Sequence, residues 1–85
     1  MSGVNQLRNI GPKSAQMLTE VGITSIDQLR EIGAVTAFRR LTFTFGRQVT
    51  LNILWAMQAG LRDIDWREVT SAEKIALQAA LHDPL

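Results

Sequence analysis

Residues 48–61 carry no charged side chain, and that run, bounded by Arg47 and Arg62, constrains the fold more than any other feature of the chain. It falls short of the roughly 20 apolar residues needed to cross a bilayer. Within 49–61 the polar residues Thr50, Asn52 and Gln58 are spaced so that they point in dispersed directions from a helix. A helix over 49–61 is therefore apolar nearly all round, and such a helix belongs in the middle of a globule. The rest of the chain has to supply amphipathic helices that surround it.

The flanking sequence has that character. Leu7-Arg-Asn-Ile-Gly-Pro-Lys-Ser14 places an apolar pair on a short first helix and then runs into Gly11 and Pro12. Glycine tolerates a tight turn, and proline is pre-set for the first position of a helix. Ser14, Met17, Leu18 and Val21 follow at i, i+3, i+4 and i+7, and Gly22 marks the stop. Thr24 or Ser25 caps a third helix through Ile26 and Leu29, with Asp27 in its first turn, and Gly33 ends it. Ala34, Phe38, Leu41 and Phe45 form the stripe of a fourth helix, interrupted at Gly46. After the apolar run, Asp65 caps a single turn that lays Trp66 on the core. Thr70 and Glu73 match a capping box that opens a last helix through Ile75, Leu77, Ala80 and Leu81, closed by Asp83-Pro84. No stretch alternates with a period of two, so the predicted class is all-α: a compact bundle of about five to six short helices around the central one.

Eighty-five residues make one domain over 1–85, large enough to bury about 60% of the unfolded surface. There is no cysteine, so disulfides, thiolate metal sites and cysteine nucleophiles are excluded and packing alone holds the core. The opening residues lack the basic and apolar regions of an export leader, and the expected location is the cytoplasm. Net charge is +1. Residues 1–48 hold six basic and three acidic side chains, a balance of +3, and the remainder comes to −2. That asymmetry is too mild to imply nucleic acid or an anionic membrane by itself.

Residues 7–15, Val21-Gly-Ile23 and Leu29 are followed by Gly33-Ala-Val35, Phe38-Arg-Arg-Leu41, Leu51-Asn-Ile-Leu-Trp-Ala56 and Trp66-Arg-Glu-Val69. This ordered set, over residues 7 to about 81, resembles the C-terminal domain family of TfoX-type competence regulators. The resemblance implies a helical domain of bacterial regulators of DNA uptake, often found behind a separate N-terminal α/β domain. The opening also resembles a helix-hairpin-helix motif, whose Gly-apolar-Gly turn presents N–H groups to a phosphate. Here the turn reads Asn9-Ile10-Gly11, and asparagine enters the left-handed region more readily than most residues.

Candidate nucleic-acid contacts are therefore Arg8, Gly11, Lys13 and Ser14, with Arg39 and Arg40 as an extension. N–H groups at the start of the Pro12 helix, its dipole and Lys13 all favour an anion. The plainer account is a helix–helix joint with solvated cations, and it leads, because one hairpin with few charges binds weakly through phosphates alone. For Arg39 and Arg40 a solvated helix face leads as well. Trp55 reads as core and Trp66 as a core lid, while Thr42-Phe-Thr-Phe45 is the place where an exposed Phe43 would suggest a partner surface. Phe43 and Trp66 are the candidate protein contacts, for a partner protein or a homodimer.

His82, the one histidine, sits beside Asp83 at a terminus and lacks the further ligands a metal site requires. No phosphate-binding loop, dinucleotide fingerprint or nucleophile elbow is present. The expectation is a non-enzymatic module with no cofactor, no metal, no membrane partner and no small-molecule substrate.

Overall fold

The computed structural model describes residues 3–82. Four α-helices, α1 (Pro12–Glu20), α2 (Ile26–Phe45), α3 (Leu51–Leu61) and α4 (Ser71–His82), are accompanied by single 3-10 turns at Val4–Gln6, before α1, at Gly46–Gln48, between α2 and α3, and at Trp66–Glu68, between α3 and α4. There is no strand among the described residues; one isolated bridge links Gly3 and Ser25.

Each helix end has a local cause. Pro12 occupies the first turn of α1, and Gly22, at φ 88°, ends it. The Ile23 N–H reaches the Leu18 carbonyl and the Gly22 N–H that of Thr19, the paired bonds of a Schellman stop. Ser25 caps α2: its hydroxyl accepts from the Gln28 N–H, and the Gln28 side chain accepts in return from the Ser25 N–H. Asp63 takes the left-handed place after α3, with φ 56°, and Ile64 N–H to Ala59 O closes the same kind of stop without a glycine.

One expected boundary shifts. The short first helix is a single 3-10 turn, because Leu7 leaves it in extended conformation with ψ 133° and the chain must reverse before Pro12. Gly33 ends the third helix where expected: at φ 83° and ψ 160° it breaks α2, and the fourth helix resumes at once without a loop. The Asp83-Pro84 closure lies outside the described residues.

The core is built from Leu18, Ile23, Leu29, Leu41, Leu54 and Met57, all fully buried. Burying side chains of this size contributes about 1.5–3 kcal/mol each. α3 packs chiefly on α2, and Leu54, Trp55, Met57, Ala59 and Gly60 are its buried residues. Leu51, at its start, faces water, so the helix is central without being enclosed on every side.

α4 lies at the periphery and buries no residue completely. Leu77 and Leu81 rest against the core, while Ile75 is 66% exposed. Polar contacts fasten it instead. The Thr70 hydroxyl accepts from the Glu73 N–H. The Glu73 carboxylate does not complete the capping box; it accepts from Gln58 of α3 and from Arg62 just beyond it. Arg39 donates to the Ala80 and Leu81 carbonyls, where the helix dipole favours a cation. The Lys74 ammonium stands 5.6 Å from the centre of the Trp55 ring.

Candidate nucleic-acid interface

The reversal before α1 is a tight turn closed by the Ile10 N–H on the Leu7 carbonyl, with Asn9 in the left-handed region at φ 73°. The Asn9 side chain is used twice more. Its Oδ1 accepts from the Trp66 N–H at 3.2 Å, and its Nδ2 donates to the Ile64 carbonyl at 2.8 Å. Arg8 adds a bond from Nη1 to the Asp63 carbonyl. The turn is thus braced against the segment following α3.

At the start of α1, Gly11 is extended (φ −82°, ψ 173°) and provides no side-chain cap, while Pro12 has no N–H. The first N–H that turns back to Gly11 belongs to Ala15, so those of Lys13 and Ser14 point off the helix end. Gly11 and Lys13 are exposed and Ser14 is half-buried.

The candidate cations do not gather into one strip. Lys13 stands at the start of α1, whereas Arg39 and Arg40 border an open groove of about 620 Å³ shared with Glu20, Val21 and Gly22 at the other end of that helix. A rise of 1.5 Å per residue separates the two ends by roughly 12 Å. Phe43 stands in the same groove and is 93% exposed. Near the turn, Arg67 pairs with the Asp65 carboxylate. That carboxyl is held down to about 2, chiefly by the hydrogen bond from the Arg67 side chain and then by the Arg67 N–H, with the charges of Arg67 and Arg8 adding smaller pulls. It stays ionised at ordinary pH and offsets part of the positive charge there.

Trp66 is not the expected core lid. Val69 takes the buried place, and Trp66 is left 43% exposed, whereas Trp55 is buried as expected. The indole of Trp66 borders a second cavity, of about 240 Å³, with Asn9, Ser14, Asn52, Ile53 and Ala56. Sequence reasoning singled out neither Asn9 as a brace nor Asn52 as a lining residue. Asn52 carried a signal, as one of three polar residues in the otherwise apolar stretch 49–61. Among the described residues, no group of three or more His, Asp or Glu side chains is placed to hold a metal, and no helix is long and apolar enough to cross a membrane.

The family model of the TfoX C-terminal domain matches residues 1–81. The chain belongs to the TfoX C-terminal domain family. Two curated relatives are DNA transformation proteins. DNA transformation protein TfoX of Haemophilus influenzae is 31% identical over 83 residues, 98% of this chain and 38% of that protein. DNA transformation protein TfoX1 of Aliivibrio fischeri is 27% identical over 74 residues, 87% of this chain and 35% of that protein. The TfoX-like chain therefore spans little more than a third of the length of these relatives. An uncharacterized protein from Listeria monocytogenes has the same fold in a triclinic crystal form, with a TM-score of 0.84 and 28% identity, over 91% of this chain and 86% of that one. A Listeria monocytogenes protein of unknown function, in a tetragonal form, gives 0.83 and 29% over 89% and 93%.

Proposed function

We propose that this domain is a non-enzymatic cytoplasmic module in the regulation of DNA transformation, and that it contacts a nucleic-acid backbone through the turn at residues 8–14. The observation that carries this reading is the preformed reversal at Asn9, which leads into an uncapped helix start beside an exposed lysine. Two outward N–H groups, a helix dipole and a mobile ammonium suit a phosphate oxygen. Gly11 leaves room for close approach, since no atom lies within 4 Å of where a Cβ would stand. One such turn makes few phosphate contacts, so binding belongs to the weak, sequence-independent range of about 10⁻⁴–10⁻⁶ M at physiological salt.

Titrating duplex DNA into the protein at low salt and following amide chemical shifts tests the reading. The Lys13 and Ser14 amides are expected to move. Affinity should fall with salt at a slope near −0.9 per phosphate contacted, and Lys13→Ala should make that slope shallower by about one such contact. Unchanged amide shifts in excess DNA would remove the proposal.

A second reading, a protein-binding or self-associating face, is favoured by the exposure of Phe43 in its groove. A single bare phenylalanine is ordinary on a surface, but here the ring lines a groove together with Val21, so the exposed apolar surface extends beyond one side chain. On this reading Phe43→Asp abolishes association measured by sedimentation, while stability stays within about 0.5 kcal/mol because the ring touches little in the monomer. A wild-type chain that stays monomeric at high concentration and captures no protein from nuclease-treated lysate would discard it.

A further inference from the structure

The chain's two tryptophans are treated in opposite ways. Trp55 is closed into the core, and Trp66 is left half-exposed along the wall of the 240 Å³ cavity. The cavity has an apolar side, Ile53 and Ala56, and a polar rim, Asn9, Ser14 and Asn52. The Asn9 amide is committed to Ile64 and Trp66, so it fixes the wall in place. Asn52 is exposed, and neither its amide nor the Ser14 hydroxyl bonds to another described residue.

We infer that this cavity takes an unstacked nucleobase of a single-stranded nucleic acid, lying against the Trp66 indole with its edge facing Asn52 and Ser14. The inference rests on the proposed backbone contact at the same turn and specifies the form of nucleic acid. Its volume is below the roughly 300–1,000 Å³ of drug-sized sites, which suits one planar ring system. An amide donates and accepts, as the edge of a base does, and an aromatic face accommodates any base. Ser14 belongs both to the cavity and to the start of α1, so a base in the cavity brings its own phosphate toward the Lys13 and Ser14 amides. A base paired and stacked in a duplex cannot enter. Local charge is nearly balanced, Arg8, Lys13 and Arg67 against Asp63, Asp65 and Glu68, so stacking carries more of the affinity than counterion release does.

The test compares a short oligothymidylate, a duplex of equal length and thymidine monophosphate, by calorimetric titration of the full chain at low salt. The oligothymidylate should bind more tightly than the duplex and than the mononucleotide. Trp66→Ala should weaken single-strand binding roughly 5- to 150-fold, and Trp66→Phe should keep most of it. Asn52→Ala, on the exposed face of α3, should weaken it without loss of fold, so the inference stays testable if Trp66→Ala proves unfolded by circular dichroism. Equal affinity for duplex and single strand, or single-strand binding indifferent to Trp66→Ala in a folded protein, would overturn the inference. If duplex binding still responds to Lys13→Ala in that case, the backbone contact stands and only the base slot falls. A mononucleotide that binds as well as the strand would assign the cavity to a free nucleotide and overturn the strand.

Discussion

Gly60→Ala is expected to destabilise the domain by about 2–3 kcal/mol, lowering Tm by roughly 10–20 °C. Helix propensity alone predicts the opposite sign, because alanine is favoured over glycine inside a helix by about 1 kcal/mol. The difference comes from what crosses α3 at that point. A Cβ on Gly60 would stand 2.6 Å from the Arg8 carbonyl oxygen and 2.7 Å from Cγ of Leu7. Leu7 is a buried core residue, and the turn behind it is tied to residues 63–66, so neither neighbour can simply swing aside. Either α3 shifts against the core or the N-terminal turn lifts from it. Gly11→Ala is the matched control: no atom lies within 4 Å of the new Cβ, and only a modest capping loss is expected. Thermal denaturation followed by circular dichroism compares the two. A Gly60→Ala protein as stable as wild type would mean that the turn does not pack against α3 as described.

What the sequence makes legible here is whatever is decided within one turn of helix. The stop at Gly22, the Ser25 cap, the break at Gly33 and the single turn capped by Asp65 all depend on residues three or four apart, and each stands where local chemistry puts it. The stripe of Ala34, Phe38, Leu41 and Phe45 works in the same way: the first three are buried, Phe45 is half-buried, and Phe43, off the stripe, is bare. The all-α class follows from these signals.

The parts that are not legible depend on which distant segments meet. Which of Trp66 and Val69 is buried is a competition between neighbours, and the larger apolar residue is the natural expectation; in the fold Val69 is buried, and Trp66, whose N–H is held by Asn9, is half-exposed. Arg39 reads in sequence as a solvated cation that could extend a basic strip. In the fold, part of its guanidinium is occupied by the end of α4, 41 and 42 residues away. The candidate site is split for the same reason. Lys13 and Arg40 are both exposed, but α1 lies between them, and nothing in their spacing reports that. The cavity beside Trp66 draws on residues 9, 14, 52, 53, 56 and 66, which only the closed fold assembles.

Asn9 is where the local and the distant requirements coincide, and its substitutions separate them. Asn9→Ala places a Cβ residue of ordinary preference at φ 73°, which costs about 1–2 kcal/mol, and removes both bonds to the segment after α3, each worth about 0.5–1.5 kcal/mol. A loss of about 2–5 kcal/mol is expected. Asn9→Gly relieves the backbone term and keeps the side-chain loss, so its stability should fall between alanine and wild type. The order wild type, glycine, alanine in urea or thermal unfolding is the expected result. In amide exchange, Trp66 should lose protection in both variants, since its N–H loses the same acceptor. Equal stability of the glycine and alanine variants would show that the left-handed turn is not formed in solution. The preformed reversal into α1 would go with it, and so would the reading of this turn as a phosphate contact.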